Sequence, residues 1–203
     1  MENISTIIFD LGGVIMDIDV KQTLQAFSEL GLKNVHEYFG HGFAASFFSE
    51  HESGKISDEE FLIEIKKLLG GEIPDEAVIG AWNALLLRFP PERIALLDEL
   101  KSRYRLFLYS NTNAIHKEKF SEIYRNSYPG NLDDHFEKAY YSHELGHRKP
   151  DLAGFELIIR ENRLDPKKTL FVDDALMNVE GAIKTGLKGL YLPPGLFITD
   201  IKW

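Results

Sequence analysis

Short apolar runs that stop abruptly at polar or glycine-rich turns punctuate this chain. Residues 4–9 end at Asp10-Leu11-Gly12-Gly13, and residues 106–109 end at Ser110-Asn111-Thr112-Asn113. Residues 170–172 end at Asp173-Asp174, residues 189–192 at Pro193-Pro194-Gly195, and a weaker run at 139–141 precedes Ser142. Continuous short runs, as opposed to alternating ones, predict strands covered on both faces, as in a parallel sheet. Helical spacing fills the gaps. Ile94, Leu97, Leu100 and Tyr104 share one face; so do Phe155, Ile158 and Ile159 after Pro150-Asp151, and Val179, Ala182 and Ile183 after the Asp pair. From about residue 90 the order is strand–helix–strand, which predicts an open α/β sheet.

Residues 16–89 read differently. They show no convincing strand but several helical faces: Leu24, Phe27 and Leu30; Phe43 and Phe47; Phe61, Ile65 and Leu68; Val78, Trp82 and Leu85. Ser57-Asp58-Glu59-Glu60 is a capping box opening the third of these. A crossover between parallel strands needs only about a dozen residues. A helical block this long between the first two strands predicts an inserted cap. The expected division is therefore a core of residues 1–15 and 90–203 and a cap of residues 16–89.

Composition narrows the function. The 203 residues carry 23 Lys plus Arg against 32 Asp plus Glu, a net charge of -9 without a basic run. Such a chain is poorly suited to generic nucleic-acid or anionic-membrane binding. There are no cysteines, so thiolate ligands, disulfides and cysteine nucleophiles are excluded. Neither a signal sequence nor a run of the ~20 apolar residues a membrane span needs is apparent, and the expected location is the cytoplasm. Nothing in the pattern sets an oligomeric state.

The chemistry collects at the predicted strand ends, where doubly wound sheets bind ligands. Asp10 follows the first strand, Ser110-Asn111 the second, and Asp173-Asp174 the fourth. An acidic residue after a strand is most often a cap or turn residue, and Ser-Asn is common turn chemistry. Carboxylates gathered from two strands, however, repel one another unless a cation joins them. An all-oxygen set suits Mg²⁺.

Taken in order, Ile7-Ile8-Phe9-Asp10-Leu11-Gly12-Gly13-Val14, Leu108-Tyr109-Ser110-Asn111, Arg148-Lys149-Pro150 and Phe171-Val172-Asp173-Asp174 with Asn178 and Gly181-Ala182 resemble the four motifs of the haloacid dehalogenase-like hydrolases. The resemblance spans nearly the whole chain and is strongest to members that hydrolyse sugar phosphates such as α-D-glucose 1-phosphate. It implies a doubly wound, mainly parallel Rossmann-like sheet with an inserted helical cap. It also implies a Mg²⁺-dependent phosphatase acting on a small phosphorylated metabolite through an aspartyl-phosphate. Asp10 would be the nucleophile. The metal would be held by Asp10, the Gly12 carbonyl and Asp174, with Asp173 acting through water. Lys149 would neutralise the phosphoryl group, and Ser110 and Asn111 would bind its oxygens.

One departure stands out. Most phosphatases of that family carry a general acid two positions after the nucleophile, where this chain has Gly12. General acid catalysis is typically worth about 10²–10⁴-fold. The glucose-1-phosphatase-like members share this glycine. Candidate substitutes are His116, Asp17 and the neighbouring Asp19, each of which also reads as a surface or linker residue. Phe39, Phe43, Phe47 and Phe48 line either a substrate pocket or the cap's core, and aromatic spacing on a helix favours core. His41, His51 and Glu52 lack metal-ligand spacing, and Arg148 either adds positive potential or sits at the surface. Rival readings are a carbon–halogen hydrolase, a non-catalytic phosphometabolite-binding protein and a phosphomutase. The intact acidic pair argues against the first, Asp10 with Lys149 against the second, and the missing acid against the third.

Overall fold

The computed structural model describes residues 3–35 and 46–203. Phe39, His41 and Phe43 lie outside the described residues. Five parallel strands form the main sheet: β1 (Thr6–Phe9), β4 (Arg105–Ser110), β5 (Lys138–Tyr141), β6 (Thr169–Asp173) and β7 (Lys188–Tyr191). Their spatial order is β5-β4-β1-β6-β7. The chain builds outward from β1 on one side and then returns to build outward on the other. The reversal of winding therefore falls at β1, and the ends of β1, β4 and β6 lie side by side there.

Both faces of the sheet are covered, which is why β1 reads as an unbroken apolar run: all four of its residues are buried. Ile7 and Phe9 join Leu106, Leu108 and Val172 on one face. Helices α5 (Pro91–Leu100) and α6 (Ala114–Ser127) pack there through Ile94, Leu97, Phe120 and Tyr124. Ile8, Phe107, Tyr109 and Phe171 point to the other face, against Phe155 and Ile158 of α8 (Leu152–Asn162) and Ala182 of α9 (Leu176–Lys184).

Between β1 and α5 lie α1 (Val20–Glu29), α2 (Ser46–Glu52), α3 (Asp58–Leu69) and α4 (Asp75–Asn83). They bury a second apolar cluster of Phe27, Phe48, Phe61, Ile65, Val78 and Trp82. Phe48 is thus core; Phe47 packs against the same cluster and stacks on Phe48 with ring centroids 4.4 Å apart. The capping box at the start of α3 forms as expected: Glu60 N–H donates to Ser57 Oγ at 3.2 Å, and Ser57 N–H to Glu60 Oε2 at 2.8 Å.

The block differs from expectation at its base. There β2 (Asp17–Ile18) pairs antiparallel with β3 (Leu86–Arg88), closing the chain where it leaves and re-enters the core. Strands of two and three residues carry no periodicity to read. Their partners lie some seventy positions apart, so only tertiary pairing defines them. Asp17 belongs to this junction, paired with Arg88 Nε at 3.2 Å and with the buried Arg93 at 3.0 Å. Asp19 caps α1 by accepting from Lys21 N–H at 3.0 Å.

Candidate active site

The turn after β1 is tight: Gly13 N–H donates to the Met16 carbonyl at 2.8 Å, while Ile15 and Met16 N–H both donate to Leu11. Gly13 has φ +74°, the left-handed region that favours glycine. A Cβ on Gly13 would also collide with the Asp174 carboxylate, so this glycine lets Asp174 close over the turn beside Asp10. A Cβ on Gly12 would lie 3.2 Å from Ile18 Cδ1, so an acid at that position would have to displace Ile18.

Lys149 arrives from the loop after α7 (Ser142–Leu145) and is 1% exposed, a burial a lysine tolerates only when paired. Its Nζ donates to Asp10 Oδ1 at 2.6 Å and to Asp173 Oδ2 at 2.7 Å. Burial alone would strip its proton, but Asp10 and Asp173 overcome that and hold the ammonium well above its ordinary range. Asn111 fixes the loop: its Nδ2 donates to the Lys149 carbonyl at 2.9 Å, and its Oδ1 accepts from Lys149 N–H at 2.8 Å. Asn111 therefore spends its side chain on Lys149, while the buried Ser110 hydroxyl beside it at the end of β4 reaches the Asn111 carbonyl only at 3.5 Å.

Asp173 is fully buried and saturated. Asn178 Nδ2 donates to both of its oxygens at 3.1 Å, Ala175 N–H donates to Oδ1 at 2.7 Å, and Lys149 holds Oδ2. Asp174 is exposed and keeps spare oxygens. Oxygens of Asp10, Asp173 and Asp174 lie within 4.8 Å of one another, the only such group of possible metal ligands among the described residues. Burial, opposed by Lys149 and reinforced by Asp173 and Asp174, pushes the Asp10 carboxyl up to about 7. Burial and Asp173 push Asp174 up to about 6. One ammonium does not balance three carboxylates, and a hard divalent cation fits this all-oxygen donor set.

His116 and Asp17 are placed elsewhere. His116 is buried, not on the helix surface, and stacks on Trp82 at 4.6 Å. Its Nε2–H donates to the Trp82 carbonyl at 3.1 Å and its Nδ1 accepts from Asn113 at 3.1 Å. Burial lowers it to about 4, so it stays neutral with both ring nitrogens engaged. Neither it nor Asp17 has a free group to serve as the acid. Sequence reasoning assigned no role to Asn178 and missed the side-chain role of Asn111. It also missed that Arg148 reaches Glu52 at the end of α2, at 2.7 Å; the one available signal was the position of Arg148 directly before Lys149.

Known proteins resemble this chain in sequence and fold. Residues 4–186 match the family model of haloacid dehalogenase-like hydrolases. The chain is 34% identical over 176 residues to a D-ribitol-5-phosphate phosphatase of Bacteroides thetaiotaomicron, covering 87% of this chain and 85% of that protein. It is 27% identical to a sesquiterpene phosphatase of Aspergillus oryzae, covering 93% and 90%. Among solved structures, a haloacid dehalogenase family enzyme from Bacteroides thetaiotaomicron, crystallised as a point mutant with magnesium and inorganic phosphate, superposes with a TM-score of 0.90. The two are 30% identical, with 95% of each chain covered. An aspartate-bearing turn after β1, a buried lysine, and an acidic pair after β6 thus occur on the expected sheet over the expected length, and the chain belongs to the haloacid dehalogenase-like hydrolases.

Proposed function

We propose that this protein is a Mg²⁺-dependent phosphatase that hydrolyses a small phosphorylated sugar or sugar alcohol through phosphorylation of Asp10. The observation that carries this reading is the contact of the Lys149 ammonium with Asp10 at 2.6 Å, beside a third and a fourth charge from Asp173 and Asp174. The sugar-alcohol phosphatase likeness supports the substrate class.

In this mechanism an Asp10 oxygen attacks phosphorus and the bond from phosphorus to the leaving oxygen breaks. The leaving oxygen takes a proton from water, since Gly12 offers none. A second water then attacks the aspartyl-phosphate, releasing inorganic phosphate and restoring Asp10. Lys149 stays protonated and lies where charge spreads over the phosphoryl oxygens, with Ser110 Oγ and the Asn111 amide as further donors. Asp10, Asp174 and the Gly12 carbonyl would hold Mg²⁺, and Asp173, its oxygens already taken by Asn178, Ala175 and Lys149, would hold Lys149 beside Asp10 in place of the water-mediated role the resemblance implies. The metal supplies neutralising charge that a carboxylate needs to approach a dianion. Residues 16–89 serve as the cap over a core of residues 1–15 and 90–203, and the protein works in the cytoplasm. Asp10→Asn is expected to abolish phosphate release from D-ribitol 5-phosphate and sugar phosphates in Mg²⁺ buffer. Near-normal turnover in that variant would sink the mechanism.

A further inference from the structure

Glu52 closes α2, and its surroundings are unusual for a carboxylate. It is 8% exposed, and its Oε2 lies 2.7 Å from an Arg148 Nη in an ion pair whose N–H is not aimed along the contact. Arg148 Nε is buried without a hydrogen-bond partner. Burial raises the Glu52 carboxyl, while Arg148 opposes the rise. The end of α2 is held in place from two sides. His51 stacks on Phe61 at 4.1 Å and contacts Asp58 Oδ1 at 2.6 Å. Gly54, at φ +65°, lies so close to the His143 carbonyl that any Cβ there would collide with it.

A pair of a buried carboxylate and a half-buried guanidinium with unspent hydrogen-bonding capacity stabilises little by itself, because desolvation offsets the attraction. Placed directly before the lysine that meets the nucleophile, it does something more specific. An unpaired Arg148 would attract any second anionic group on a substrate. Glu52 cancels that attraction and presents a carboxylate that repels anions but accepts hydroxyl hydrogen bonds. Specificity often rests on such a repulsive element.

We propose that Glu52, paired with Arg148, is a specificity-determining residue that admits neutral, hydroxyl-bearing leaving groups and rejects those carrying a second negative charge. The proposal rests on the phosphatase reading above. Glycerol 3-phosphate and 3-phosphoglycerate form a matched pair of probes, with one phosphate ester each and a hydroxymethyl group in one where the other has a carboxylate. At pH 8 with Mg²⁺, the wild-type protein is expected to favour glycerol 3-phosphate in kcat/KM. In Glu52→Gln that preference should fall at least tenfold, chiefly through a lower KM for 3-phosphoglycerate. In Arg148→Gln, which leaves Glu52 unopposed, the preference should rise. A structural latch would lower both substrates together, so a preference unchanged within twofold in either folded variant overturns the proposal. If Glu52→Gln fails to fold, Arg148→Gln carries the test with the opposite sign. A wild-type protein inactive on every phosphate ester would sink the phosphatase reading instead. Calorimetric binding of the two probes would still measure the preference.

Discussion

Asn178 shows how much of this site is set by side chains that touch no substrate. Its amide spans both oxygens of Asp173, which holds that buried carboxylate oriented toward Lys149. Removing it leaves Asp173 to Lys149 and one backbone N–H, and frees Lys149 to shift away from Asp10. Outer contacts of this kind typically cost 10–100-fold when lost. Asn178→Ala is therefore expected to lose about 10–100-fold in kcat/KM and to melt at a lower temperature, because a buried carboxylate loses two of its donors; a kcat/KM loss below twofold would show that Asp173 needs no such support. Asp10, Ser110 and the Asp pair were legible in the sequence because each stands at the break between an apolar run and a turn, whereas Lys149 was legible only through the family resemblance. The roles of Asn111, Asn178, Glu52 and Arg148 were not. Each depends on a partner 5 to 96 positions away, and polar residues on helices and loops carry no pattern that names a partner.

Among the elements, the seam between the helical block and the sheet depends on α6 meeting the end of α4. His116 in the first turn of α6 donates to the Trp82 carbonyl, and Thr23 of α1 donates to the same carbonyl at 3.2 Å. The helices themselves were readable from apolar spacing, and the sheet from its interrupted runs. The seam was not, because β2, β3 and the buried imidazole are fixed by contacts between elements and not within them. His116 makes the seam sensitive to acid. Its folded value of about 4 lies below the usual 6.5, so between those values the unfolded chain binds a proton that the fold refuses. Stability should therefore fall as pH drops from about 6.5 to 4, by about 3 kcal/mol from this residue. His51 and His143, also lowered by burial, act in the same direction. Denaturant melts at pH 7.5 and 4.5 should show a smaller loss in His116→Gln than in the wild type. Equal losses would mean that the imidazole does not carry this linkage.

For the molecule as a whole, the question is how a chain of net charge -9 comes to hold an anionic substrate. No basic run in the sequence does so. The fold instead concentrates one buried ammonium and an acidic cluster at the reversal of the sheet, where Asp10 and Asp174 come together from opposite ends of the sequence. Without metal, the like charges strain this arrangement, a cost that function imposes on stability. Mg²⁺ should then stabilise the fold by mass action, by about 2.7 kcal/mol at a hundredfold excess over its Kd. For a chain of this size that corresponds to roughly 5–10 °C in the thermal midpoint. Asp174→Asn removes one repelling charge and one candidate ligand together. The metal-free variant is expected to melt slightly higher than the wild type, to lose most of the Mg²⁺-induced rise, and to lose phosphatase activity. Thermal melts with and without EDTA separate these effects from catalysis. A variant that melts lower without metal yet keeps the full Mg²⁺ response would show that Asp174 is neither a source of strain nor a ligand, and would remove the metal from the place assigned to it.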